Sequence, residues 1–150
     1  MTDADRNFAM DPKMGEGATG GAYVEVDKDV STVEFVPGLV FRPVVGNQLM
    51  ANFVRYNSNT AAPLHTHEEE QITVVIEGEL EFDLAGDLRM MGPGMAMVVP
   101  PGVPRGARTH DTWCFEIDIF HPPRRALLEL TQASGEHLAD AAEPSTPPAD

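Results

Sequence analysis

Apolar residues fall in short runs cut by glycine and proline, and this constrains the fold more than any other feature. The runs TVEF, GLVFRPVV, QLMANFVRY, QITVVIE, ELEFDLA, MAMVVP and TWCFEIDIF are each only a few residues long, and 13 Gly and 13 Pro are distributed through the 150-residue chain. Short strand-like runs between turn residues predict an all-β sandwich or barrel. Helical periodicity is confined to RRALLELTQ, which predicts one short helix outside the barrel. Glu77-Gly78-Glu79 and Ala85-Gly86-Asp87 read as hairpin turns in which Gly supplies the positive φ. Between them, Glu79, Glu81 and Asp83 share one face of a strand and Leu80, Phe82 and Leu84 the other.

The flanks differ from this middle. Residues 1–21 lack apolar periodicity and read as a flexible arm; residues 131–150 carry four acidic and no basic side chains with several prolines, the composition of a solvated tail. The barrel is expected over 22–130. The formal charge is -14, but Met1–Glu34 holds 8 acidic and 3 basic residues and the tail 4 and none, leaving 12 and 7 in the middle. The barrel is therefore only mildly acidic. The overall charge argues against nucleic-acid or anionic-membrane partners. A single Cys and a first segment without a basic and then apolar run point to the cytoplasm.

Chemistry concentrates in three segments. In Pro63-Leu64-His65-Thr66-His67-Glu68-Glu69-Glu70-Gln71 the two histidines have strand parity, and Gln71 joins them if the Glu run bows out. Two imidazoles and an amide oxygen suit a borderline divalent metal, Zn, Mn, Fe or Ni. The second segment is Gly94-Met95-Ala96-Met97-Val98-Val99-Pro100-Pro101-Gly102-Val103-Pro104-Arg105. In the third, Cys114, Glu116, Asp118 and Phe120 share one strand face, followed by Pro122-Pro123-Arg124.

The first two segments resemble the paired motifs of the cupin superfamily. His65, His67, Gln71 and Gly78 keep the spacing of the first motif, with Gln in place of Glu; Gly94, Pro100 and Gly102 match the second. The resemblance implies a single-domain jelly-roll barrel with its metal or ligand inside. It also implies a homodimer, to which an Ile72–Ile76 strand apolar on both faces would contribute. Where the family has its fourth metal ligand, a His, this chain has Arg105, which has no lone pair to give. His110 is an alternative source of that ligand. The run Asp118-x-Phe120-x-Pro-Pro-Arg124 is similar to the last strand of cupins that open the ring of unsaturated uronates, and small polyketide-cyclase cupins are similar as well.

These likenesses imply a metal on His65, His67 and Gln71, with Asp118, Phe120, Arg124 and Arg105 as catalytic residues. The expected function is metal-dependent proton-transfer chemistry (isomerisation, ring opening or cyclisation) on an oxygenated, anionic small molecule such as a sugar acid or polyketide. Two alternatives stand beside it: a cupin dioxygenase, and a metal-free barrel in which Arg105 and Arg124 bind an anionic ligand without catalysis.

Overall fold

A computed structural model describes residues 21–130. The arm expected over 1–21 (save Gly21), the tail over 131–150 and the end of the expected helix lie outside the described residues. Ten strands form two antiparallel sheets: β1 (Val33–Val36), β2 (Leu39–Val45), β3 (Met50–Tyr56), β4 (Ala61–His65), β5 (Glu70–Gly78), β6 (Leu80–Leu84), β7 (Asp87–Met91), β8 (Ala96–Val99), β9 (Arg105–Arg108) and β10 (Cys114–His121). One sheet has the order β1-β2-β3-β10-β5-β8, the other β4-β9-β6-β7. This is the all-β jelly roll expected from the sequence. One helical turn (Val26–Asp29) precedes the strands, and residues 125–130 are helical after them. Among the described residues no helix is long and apolar enough to cross a membrane.

The two glycine turns differ. Across Ala85-Gly86, Leu84 pairs with Asp87, and both turn residues have positive φ (50° and 92°), as a two-residue hairpin requires. Gly78 makes no hairpin; it is the corner where the chain leaves the first sheet for the second. Its φ is 80°, and an added Cβ would stand 1.9 Å from the Trp113 carbonyl oxygen. The backbones of β5 and β10 meet there, so the glycine is required by close approach as well as by conformation.

Alternation along the central strands places the core. Inward positions are Met50, Asn52, Val54 and Tyr56 on β3, Gln71, Thr73 and Val75 on β5, and Cys114, Glu116, Asp118 and Phe120 on β10. Read along each strand, these form layers. One end of the barrel is filled by Leu39, Val54, Tyr56, Val75, Leu80, Phe82, Val99 and Cys114, and the other by Val45, Met50, Phe120 and Leu127. The buried polar groups Asn52, Gln71, Thr73, Arg105 and Glu116 belong to the layer between. Hydrophobic burial stabilises the two ends; the middle layer must satisfy itself by hydrogen bonding. On β5, Thr73 and Val75 face inward, whereas Ile72 and Ile76 are 37% and 39% exposed, so in the single chain this strand is buried on one face only.

Candidate active site: a cation, an amide and two acids

The polar layer is built around Arg105. The turn Pro100-Pro101-Gly102-Val103-Pro104 carries the chain into β9, where Arg105 pairs with His65 across one edge and Leu84 across the other. Its side chain is 1% exposed. Nε donates to the Val103 carbonyl at 3.1 Å, and Nη2 to the Val103 and Pro100 carbonyls at 2.8 and 3.3 Å. Nη1 donates to Gln71 Oε1 at 3.1 Å and lies 2.9 Å from His67 Nε2. A guanidinium has five N–H donors, and these contacts use all five. Because Arg can only donate, His67 Nε2 is the acceptor and its ring proton is on Nδ1. That nitrogen lies 3.2 Å from Glu69 Oε2, in ion-pair range but without hydrogen-bond alignment.

From Gln71 the bonding continues in one direction. Its Nε2 donates to Thr73 Oγ1 at 2.7 Å and to Asp118 Oδ1 at 3.1 Å, and the Thr73 hydroxyl donates to the same Asp118 oxygen at 2.6 Å. A donor-only cation at one end and an acceptor carboxylate at the other fix the amide orientation. Cation, amide, hydroxyl and carboxylate thus form one ordered chain across the barrel.

Beyond Asp118 the layer changes character. Glu116, 1% exposed, has its pKa raised well above the usual carboxyl range, first by burial, then by the charge of Asp118 and their mutual hydrogen bond. Its surroundings favour the protonated form. Glu116 Oε2 and Asn52 Oδ1 are buried with no hydrogen-bond partner. Arg124 lies against the face of Phe120, its Cζ 5.3 Å from the ring centroid, and Phe120 packs edge-on against His67 with centroids 5.4 Å apart. The guanidinium of Arg124 donates no hydrogen bond to another described residue, and its Nε is buried and unpartnered. Burial lowers its pKa, opposed by the charges of Glu69 and Asp118.

His65, His67, Gln71, Asp118, Phe120, Arg105 and Arg124 are therefore brought into one neighbourhood. His65 is at the rim, its Nδ1 2.9 Å from the Pro63 carbonyl, with its ring centroid 5.7 Å from that of His67. Burial, opposed by the Pro63 bond and aided by Arg124 and Arg105, lowers its pKa. Burial and the same two cations bring His67 down to about 4, so it is neutral. His110 is elsewhere: it is exposed and lies 3.4 Å from Glu81. Cys114, its pKa pushed up to about 12 by burial and then Asp118, is an inert core group.

Two imidazoles and an amide oxygen have the chemistry of a metal set, but their arrangement does not fit a resident metal. A metal–nitrogen bond spans about 2.0–2.1 Å, and the lone pairs of His67 and Gln71 already point at Arg105 Nη1. Unit charges about 4 Å apart interact by about 4 kcal/mol at an effective dielectric near 20, and a divalent ion doubles the repulsion. Among the described residues no group of three His, Cys, Asp or Glu is arranged to hold a metal. The space at the site is small: a hollow of about 40 Å³ is lined by His65, Gln71, Arg105, Glu116, Asp118 and Arg124, among others. A wider hollow of about 380 Å³, with Glu69, Pro122, Pro123 and Arg125 on its wall, lies nearby.

Thr73 and Glu116 are the members that sequence reasoning left out or undecided. Strand parity with Gln71 and Asp118 was the available signal for both.

Comparison with known proteins agrees with this architecture. A family profile described as "Cupin domain" matches residues 52–113. KdgF from Halomonas sp. is 30% identical, with a TM-score of 0.65 over 73% of this chain and 99% of that one. The chain belongs to the cupin superfamily. The polyketide cyclase RemF from Streptomyces resistomycificus is 25% identical, with a TM-score of 0.57 over 67% of this chain and 81% of that one. Dimethylsulfoniopropionate lyase DddQ from Ruegeria pomeroyi is 30% identical over 95 residues, which is 63% of this chain and 47% of DddQ. The chain thus spans about half the length of that curated relative.

Proposed function

We propose that this cupin is an enzyme of proton-transfer chemistry, acting on a small oxygenated carboxylate of the sugar-acid type. The observation that carries the reading is Arg124, a part-buried guanidinium without a hydrogen-bond partner among the described residues, beside Asp118 and a Glu116 whose pKa is raised. An unpartnered guanidinium fork matches a carboxylate bidentately. With the substrate carboxylate on Arg124, Asp118 takes a proton from one substrate atom and returns it at another, which leaves the net composition unchanged, as in an isomerisation or ring opening. Glu116 supplies the neighbouring proton that lets Asp118 share its charge. Phe120 excludes water and holds Arg124. Arg105, with all its donors engaged, acts through His67 and Gln71 by position and charge.

A hollow of about 40 Å³ takes a carboxylate and its adjoining atoms rather than an aromatic polyketide. The body of the substrate fits the wider hollow beside Glu69. The likeness to KdgF and to the uronate-opening cupins favours a sugar acid over a polyketide.

Calorimetric binding of an unsaturated uronate, followed by NMR of its conversion, tests the reading. Arg124→Ala should weaken binding at least about tenfold, the scale of one charge-assisted hydrogen bond, and Asp118→Asn should stop conversion while binding persists. Equal affinity in the Arg124→Ala protein overturns the assignment. Binding without conversion in the unaltered chain favours the second reading, an anion-binding barrel, with Arg124 alone as the receptor because the donors of Arg105 are all engaged within the chain.

A homodimer is part of the proposal. Ile72 and Val98 pair across β5 and β8 and are both exposed on the outer face, with Ile76 further along β5. Such a face suits a second copy of the chain, and a monomeric mass by light scattering would contradict it.

A further inference from the structure

We propose that the guanidinium of Arg105 is the resident cation of this barrel, seated where the cupin donor set would otherwise take a divalent metal, so that the chain works without one. Three observations converge. Nη1 lies 2.9 Å from His67 Nε2 and 3.1 Å from Gln71 Oε1, and those two acceptors are themselves 3.0 Å apart. With the His67 ring proton on Nδ1, both acceptors face Nη1 and the guanidinium is the common donor that binds them. The seat is also built from behind: three N–H groups are held by the Val103 and Pro100 carbonyls, on the turn that leads into β9. A side chain that merely filled a vacancy would not need an acceptor for each of its five N–H groups. Finally, the cation is wired to the reacting carboxylate, since Gln71 passes the polarisation to Thr73 and Asp118.

Arg105 therefore supplies what a metal would supply by charge, a fixed positive centre, and withholds what a metal would supply by coordination, an open position for a substrate oxygen. Its value to the chain is independence from metal supply. The inference is separate from the reaction proposed above, because it concerns occupancy of the seat and is read without substrate.

The test is metal content. The full chain is purified without chelator from cells supplemented with Zn, Mn, Fe and Ni, and metal per chain is measured by mass spectrometry. The unaltered chain should hold less than about a tenth of an equivalent, and Arg105→His, which restores a fourth donor, about one equivalent, lost again on adding His65→Ala. Metal near one equivalent in the unaltered chain, removed by His67→Ala, overturns the proposal, as does a folded Arg105→His protein that takes up none. If Arg105→His does not fold, NMR of the unaltered chain decides. Equimolar Zn²⁺ should leave the His67 ring nitrogens unshifted and the Arg105 N–H protons protected from exchange. A shift of the His67 nitrogens with release of those protons overturns the proposal.

Discussion

The polar layer has two halves that treat burial in opposite ways. Every N–H of the Arg105 guanidinium has an acceptor, five N–H groups meeting two backbone carbonyls, an imidazole and an amide, and the one buried atom left over beside it is His67 Nδ1. Around Glu116 and Arg124 buried atoms are left over, among them Glu116 Oε2, Asn52 Oδ1 and Arg124 Nε. Both halves hold an arginine within the same barrel, so burial alone does not distinguish them. Satisfaction does. A fully bonded charge rigidifies its surroundings, whereas unpaired polar groups in an apolar setting store binding capacity for something that brings the missing partners. The first half is scaffold, and the second is where a ligand gains the most.

On that contrast the largest effect on stability belongs to Arg105. Arg105→Ala removes five N–H donors at once and leaves His67, Gln71 and two turn carbonyls without them in the interior. Removing one member of a buried charged set costs about 3–5 kcal/mol. Urea unfolding should show a loss on that scale, and a loss below about 1 kcal/mol would mean that the guanidinium is not held as described.

Glu116 comes next and is read through pH. Burial and the neighbouring Asp118 raise its pKa above its ordinary 4.5. Between that value and its folded value the native chain keeps a proton that the unfolded chain has lost. The stabilisation is complete below about 4.5 and disappears as pH rises through the folded value, by about 1.4 kcal/mol for each unit of the shift. Glu116→Gln keeps the shape and can still donate to Asp118, so stability across neutral and alkaline pH should become flatter and higher. An unchanged slope in urea unfolding from pH 5 to pH 9 would show Glu116 to be ionised as an ordinary carboxylate.

Thr73 joins the halves. Its hydroxyl accepts from Gln71 and donates to Asp118, and Thr73→Val removes both bonds at nearly constant shape. The expected cost is about 1 kcal/mol, the net worth of such a bond once neighbours adjust. Measured in a cycle with Asp118→Asn, the two losses should be less than additive. Strict additivity would mean that the halves are energetically separate.

Much of this was readable from the chain, for identifiable reasons. Strand parity placed Cys114, Glu116, Asp118 and Phe120 on the inner face, and the His65, His67 and Gln71 spacing brought those side chains together. The Arg105 substitution was visible as the loss of a ligand. What it does instead was hidden, because three of its four acceptors are the Val103 and Pro100 carbonyls and His67 in a particular tautomer. Backbone carbonyl direction leaves no mark in residue identity. Thr73 passed as an ordinary strand residue for a related reason: a hydroxyl declares itself only when its two partners are known. Gly78 looked like a hairpin and became a corner between sheets because the carbonyl of Trp113, 35 residues away, occupies the space that a Cβ would need. The strand Ile72–Ile76 read as buried on both faces; within one chain only the face bearing Thr73 and Val75 is covered.

The smallest effect on stability separates the two arginines most sharply. Arg124 is packed on Phe120 and has no hydrogen-bonded acceptor among the described residues, so Arg124→Leu removes a part-buried charge and leaves no orphaned partner among them. The cation–π contact is worth about 0.5–1 kcal/mol, and relief of the desolvated charge offsets it. Urea unfolding of Arg124→Leu should therefore lie within about 0.5 kcal/mol of the unaltered chain, with the sign free to favour the variant, while uronate binding falls. A loss comparable with that of Arg105→Ala would show that Arg124 is bonded into the scaffold. Stability kept and carboxylate binding lost is the outcome that makes one arginine structural and the other a receptor for the ligand.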